Sequence, residues 1–258
     1  ACFQWGLLCS NEHRPRRAIE WLRQAVLLDW SNYWYQFYLA FLSDRAGLSE
    51  DALVHYSAAL ACKPESAWIH LNLARLYRAK GRWSEAMDDL NFARNAWKDD
   101  PKVYSVMLEQ GMAFQSLGDF DNAAAQFRAI LDAAPGGRLE EAAGLNLAAI
   151  EVELGREDAA SRIYDWLIDR PEQTHAPRLS RAYLRLRLGK PEAALEDLDE
   201  LLAAKSNPVN RAEALSARAV ALILLRRSEQ AVADAAEARR LNPSPSFERL
   251  WQRTLLAV

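Results

Sequence analysis

Seven alanines stand in one register along this chain: Ala18, Ala52, Ala86, Ala123, Ala160, Ala194 and Ala231, separated by 34, 34, 37, 37, 34 and 37 residues. A period of this length is the mark of one supersecondary unit stacked on copies of itself. Each alanine opens an apolar seam. Four residues on stand Leu22, Tyr56, Leu90, Phe127, Tyr164, Leu198 and Ala235, and three further stand Ala25, Ala59, Ala93, Ile130, Leu167, Leu201 and Ala238. Positions i, i+4 and i+7 lie on one face of a helix. Five residues before the alanine comes Gly47, Gly81, Gly118, Gly155 or Gly189, with His13 and Arg226 in that place in the first and last units. Glycine there ends a preceding helix, because it accepts a left-handed backbone cheaply. Pro64, Pro135 and Pro243, twelve after the alanine, stop the second helix.

Upstream of each glycine runs a first helix with a seam of its own. It carries Leu73, Ala74 and Tyr77 in the third unit, Leu39 and Ala40 in the second, and Trp5, Gly6 and Cys9 in the first. Later units repeat it with Gly111 and Phe114, Leu147 and Ala148, Ala182, then Ala219 and Leu222. Every unit is therefore an antiparallel helix pair that cannot bury its apolar faces alone. The alanine is small because two helix backbones cross there, where a larger side chain would overpack the crossing at a cost of about 1–3 kcal/mol.

Composition sets outer limits on the chemistry. The net charge of −3 gives no general basic field for nucleic acid. Cys2, Cys9 and Cys62 are odd in number and make no CxxC pair, which reads as reduced thiols in a cytoplasmic compartment. No apolar run approaches the roughly 18 residues of a membrane span. The start, ACFQWGLLC, lacks a basic leader and a cleavage site, and with Ala in first place it reads as a cut inside a longer protein.

The Gly, Ala, Tyr/Phe, Ala and Pro slots of this ruler resemble the tetratricopeptide repeat over about residues 1–243. The resemblance implies an all-α, right-handed superhelical solenoid, a single domain over 1–258. Its repeats fall near 1–32, 33–66, 67–103, 104–140, 141–174, 175–211 and 212–245. Residues 246–258, SFERLWQRTLLAV, read as a capping helix with Phe247, Leu250, Trp251 and Leu255 on its apolar stripe. The departures are local. Arg181 replaces a first-helix leucine, the last unit lacks its glycine, and three residues are added in or around KDDPKVY, PGGRLEE and KSNPVNR.

In such repeats the first helices line a concave groove. The groove slots of the second unit hold Trp34, Phe37 and Phe41, and those of the third hold Trp68, Leu71, Arg75 and Arg78, with Asn72 beside them. Aromatics and arginine are favoured anchors of binding surfaces. The expected ligand is an extended peptide or protein segment, its apolar side chains on Trp34, Phe37 and Phe41 and a carboxylate or phosphate near Arg75 and Arg78. The alternative is that the aromatics pack between neighbouring repeats. A family subtype clamps the acidic tails of chaperones with lysines and asparagines. Here Phe3 and Leu7 take the first clamp slots and no lysine accompanies Asn72, so that specificity is not expected.

Nothing in the sequence points to catalysis. His13, His55, His70 and His175 are scattered without metal-ligand spacing, and there is no phosphate-binding glycine loop or nucleophile elbow. No cofactor and no metal are expected. The reading is a non-catalytic protein-interaction scaffold, with no nucleic-acid or membrane partner. Two other readings stand beside it: a structural module that self-associates through its aromatic surface, and an accessory domain of an enzyme outside this chain. The stretches NYWYQFYLAF and SAWIHLNLARLYRAKGRWSEAMDDLNFA are also similar to repeat tails of large bacterial serine/threonine kinases.

Overall fold

The computed structural model describes residues 1–12, 14–170, 174–204 and 207–243. The expected capping helix at 246–258 and the slot of His13 lie outside these. The described residues form fourteen α-helices and no strand. They fall into two compact units that meet in the chain at Pro135 and Gly136.

The first unit holds four hairpins: α1 (Cys2–Asn11) with α2 (Pro15–Leu28), α3 (Tyr33–Arg45) with α4 (Ser49–Cys62), α5 (Ala67–Ala79) with α6 (Trp83–Ala96), and α7 (Val103–Ser116) with α8 (Phe120–Ala133). The second unit holds three: α9 (Gly137–Glu153) with α10 (Glu157–Ile168), α11 (His175–Arg187) with α12 (Pro191–Ala203), and α13 (Pro208–Leu224) with α14 (Ser228–Leu241). Within each unit the second helix of one hairpin packs on the first helix of the next.

All seven register alanines are fully buried. They sit where the two helices of a hairpin cross, and a second small residue faces them. That residue is Gly6, Ala40, Ala74, Gly111, Ala148, Ala182 or Ala219, each buried. At Gly111 the approach is closer than at Gly6: an added Cβ would stand 2.5 Å from Cε1 of Phe127, against 2.8 Å from Cγ of Leu22. Small residues thus bring the backbones together, and the large ones beside them (Leu22, Tyr56, Leu90, Phe127 and Leu198) fill the space on either side.

The three-residue insertions have two destinations. The first lengthens the connection between α6 and α7, residues 97–102, where Asp100 accepts hydrogen bonds from the backbone N–H and the ammonium of Lys102. The other two extend α9 and α13 to 17 residues each, where α3, α5 and α11 have 13. Pro208 starts the longer α13 at a position where proline costs no hydrogen bond. The glycine-less turn keeps its geometry: Arg226 adopts φ 59°, close to the 68° of Gly189 in the preceding unit.

Arg181, the misfit in the first-helix seam, is explained by its neighbours. Its Nε and Nη2 donate to the buried carboxylate of Asp197 on α12, at 3.1 and 2.5 Å, and its Nη1 donates to Asp165 on α10 at 2.6 Å. One repeat later Arg218 does the same, donating from Nε and Nη2 to Asp234 at 2.7 and 2.9 Å and from Nη1 to Asp199 at 2.7 Å. Each guanidinium therefore ties its own hairpin together and reaches back to the one before.

Candidate functional site

The expected site residues lie on α3 and α5, adjacent first helices of the first unit, with α7 alongside α5. Asn32 caps α3, its side-chain oxygen accepting from the backbone N–H of Trp34 at 3.1 Å, which fixes the start of the helix and the exit of the Trp34 side chain.

The aromatic residues divide by burial. Trp34 and Trp68, one repeat apart, are 54% and 47% exposed. Phe37 and Phe41 are half-buried and bed into the cluster of Ala40, Ala52, Tyr56, Ala59, Ile69, Leu73 and Leu76. Leu71, placed by the repeat numbering on the groove, is fully buried in the next cluster with Ala74, Ala86 and Leu90. Trp34 stands edge-on to Tyr33 and Phe37, with ring centroids 4.9 and 6.4 Å apart, and Trp68 stands edge-on to Trp97 at 4.8 Å. Phe37 stacks between Tyr33 and Phe41, and the Arg45 guanidinium lies over the Phe41 ring at 5.7 Å. The two indoles are therefore half-open to solvent but held by rigid neighbours.

The polar members are already engaged. Asn72 is buried and its Nδ2 donates to the carbonyl of Trp68 on the same helix, at 2.7 Å. Asn146 does the same to Ala142 at 2.8 Å, so asparagine in this slot serves its own helix. Arg75 and Arg78 converge from α5 on one carboxylate of α7, Glu109: Arg75 Nε donates to Oε1 at 2.7 Å and Arg78 Nε to Oε2 at 3.1 Å. Glu109 is buried and Arg75 keeps 40% of its side chain exposed. Beside them burial pushes the Asp44 carboxyl above its ordinary range, while the charge of Arg75 pulls the other way. The Tyr56 hydroxyl is buried without a hydrogen-bond partner, and burial, then the nearby Asp44, holds its proton tightly.

Sequence reasoning missed Glu109. The repeat numbering considers one unit at a time, and this contact crosses from the third to the fourth; the one available signal was a glutamate among apolar residues on a first helix. Among the described residues no group of three His, Cys, Asp or Glu side chains is placed to hold a metal ion. No described helix is long and apolar enough to cross a membrane.

Two tetratricopeptide repeat families match the sequence, one over residues 45–108 and the other over residues 108–165 and 179–245. The chain belongs to the tetratricopeptide repeat family, whose members are commonly non-catalytic modules of protein–protein interaction. Among solved structures it is similar to a tetratricopeptide repeat protein from Parabacteroides merdae, at 21% identity and a TM-score of 0.76, covering 98% of this chain and 97% of that one. PilW, a type IV pilus biogenesis factor, is similar at 24% identity and a TM-score of 0.67, over 78% of this chain and 91% of that one. PilF of Pseudomonas aeruginosa is similar at 16% identity and 0.63, over 88% and 97%. At these identities the likeness is one of fold. No curated protein sequence matches the chain.

Proposed function

We propose that this chain is a protein-binding scaffold whose first unit holds an extended, partly apolar peptide against Trp34 and Trp68. One observation carries the reading: two indoles in equivalent slots of adjacent repeats are half-exposed, and each is braced edge-on by another aromatic ring. A pre-positioned tryptophan loses little rotamer freedom on binding, and such residues dominate binding energies. Phe37 and Phe41 support this surface from below. Arg75 lies seven residues along α5 from Trp68, about 10 Å of helix. Its exposed guanidinium edge suits a carboxylate or phosphate, but that anion must share the cation with Glu109. The ligand is therefore anchored by its apolar side chains, and charge only orients it.

The experiment is selection from a displayed peptide library on the whole chain, repeated on Trp34→Ala with Trp68→Ala and on Arg75→Gln. Selected peptides should carry two apolar residues. Their affinity should fall about 30-fold or more in the double variant, the loss expected when tryptophan anchors are truncated. Arg75→Gln should cost less and should relax the preference for an acidic residue. Peptides that bind the double tryptophan variant unchanged would place the site elsewhere.

A further inference from the structure

The two exposed indoles offer more than apolar area. Each carries an Nε1–H donor, and neither donor has a hydrogen-bond partner among the described residues. Arg75 donates to Glu109 through Nε alone, so both of its Nη groups are without an acceptor among the same residues. Trp34 and Trp68 lie on the second and third hairpins, which have a neighbour on either side, and they stay half-exposed with those neighbours in place. The carboxylate and amide acceptors beside them lie deeper: Asp44 is half-buried, and Asn72 and Glu109 are buried. The surface therefore presents aromatic rings and unanswered donors.

Three backbone forms are open to a peptide here, and spacing and hydrogen bonding separate them. α3 and α5 are in direct contact: Tyr33 Oη lies 3.1 Å from Oγ of Ser66, the N-cap of α5, and Phe37 packs on the cluster that holds Ile69 and Leu73. Helices in contact run with axes about 8–10 Å apart, so equivalent slots such as those of Trp34 and Trp68 recur at about that step. An extended strand returns to one face every second residue, at about 6.6–6.8 Å, short of the step. A helical surface also has no free backbone edge with which a strand could pair. A helix returns after seven residues, at about 10.5 Å, which meets the step. Its carbonyls are bonded internally, however, and would leave the indole donors unanswered. A polyproline II segment rises about 3.1 Å per residue with three residues per turn, so residues i and i+3 share a face about 9.3 Å apart. Its carbonyls are all free, and its prolines have no N–H in need of an acceptor.

Resting on the Trp34–Trp68 surface as the binding site, we infer that its occupant is a proline-rich segment in the polyproline II form, with prolines three residues apart on the two indoles. Each proline ring lies against an indole, and each Nε1–H donates to a carbonyl of the segment. The free Nη groups of Arg75 favour an acidic residue outside the prolines. A segment already held in this form loses little freedom on binding, and the braced rings lose little of their own.

Four blocked peptides titrated into the whole chain test this. Three are repeats of Pro-Ala-Ala, of Pro-Ala and of Pro-Ala-Ala-Ala, equal in length, and the fourth is a longer alanine-rich helix with leucines seven residues apart. The indole N–H resonances of Trp34 and Trp68, assigned from Trp34→Phe and Trp68→Phe, should shift on addition of the period-three peptide. That peptide should bind at least about tenfold more tightly than those of period two and four, which cannot place prolines on both indoles. Trp34→Phe with Trp68→Phe keeps the rings, removes both donors and should weaken binding about tenfold. If another of the four binds as tightly as the period-three peptide, and Trp34→Ala with Trp68→Ala abolishes that binding, the surface stands and the polyproline occupant is overturned. If the period-three peptide binds the alanine pair as well as it binds the wild type, the site lies elsewhere and the surface falls with its occupant. Indole resonances that ignore this peptide at millimolar concentration overturn the occupant and leave the surface to the library selection. An undiminished phenylalanine pair overturns it as well, since the free donors are what favour this backbone over a helix.

Discussion

Replacing Gly111 by alanine tests the crossing geometry through the sign of its effect. In an unconstrained helix interior this change stabilises by about 1 kcal/mol, since glycine is the poorer helix former. Here the new methyl carbon would stand 2.5, 2.7 and 3.0 Å from Cε1, Cζ and Cδ1 of Phe127. Ordinary carbon contacts lie near 3.5–4.0 Å, so the overlap is about 1 Å. Phe127 is fully buried and the ring has no solvent side to swing towards. Overpacking of this kind costs about 1–3 kcal/mol, and with a rigid aromatic as the obstacle the upper part of that range applies. The net expectation is a loss of about 1–2 kcal/mol. Stacked repeats can open one hairpin at a time, so hydrogen exchange of α7 and α8 is read alongside urea unfolding followed by circular dichroism. In a Phe127→Leu background the obstruction is gone and Gly111→Ala should become neutral or stabilising, a coupling of about 1–3 kcal/mol between the two sites. A stabilising Gly111→Ala in the unmodified chain would refute the claim that this glycine is there for close approach.

Arg226→Gly should stabilise the last hairpin by about 0.5–1 kcal/mol, because a left-handed conformation costs an ordinary residue about 1–2 kcal/mol and glycine returns part of that as freedom in the unfolded chain; hydrogen exchange of α13 and α14 reads it. Asp197→Ala should cost about 3 kcal/mol, the low end for breaking a buried ion pair, since Arg181 and Arg185 lose their shared carboxylate but keep Asp165 and the carbonyl of Ala193. The replacement of both Arg181 and Asp197 by leucine should recover part of that loss in urea unfolding, since Arg185 still lacks its carboxylate. The His55 imidazole is held below its ordinary range, first by burial and then by Arg23, with Asp51 opposing. The unfolded chain therefore binds its proton more readily, so this contribution to stability is complete above about pH 6.5 and is lost as the pH falls below it. His55→Gln should flatten the slope of unfolding free energy between pH 7 and 5, and an unchanged slope would show that His55 carries none of it.

The helical seams were legible because they obey a rule of size. An alanine every 34 or 37 residues can mean only that something close recurs there, and all seven are fully buried. The insertions were visible as changes of spacing. Their fate was not, since three residues make an extra turn of α9 and α13 as readily as a longer connection before α7. Arg181 and Arg226 looked like lapses in the pattern because their compensation is not local: one depends on carboxylates of two other helices, and the other on a turn geometry that its neighbours impose. At the candidate site residue type was readable and depth was not. Trp34, Phe37 and Phe41 share a stripe by spacing, yet only the indole stands clear of the core, because α5 packs over the two phenylalanines. Glu109 escaped notice because its role exists only where two repeats meet.

The guanidinium rungs at Arg181 and Arg218 bear on the order in which hairpins assemble. Stacked units with nearly interchangeable alanine seams can dock on the wrong neighbour, a recurrent failure of repetitive chains. A hairpin that carries a carboxylate for one particular guanidinium has an address. If α12 met any first helix but α13, Arg218 would lose Asp199 and keep only Asp234 of its own hairpin, so the wrong neighbour would forgo one charge-assisted hydrogen bond. Oily seams make the stack strong, and the few ions set within it make each hairpin distinguishable from the next.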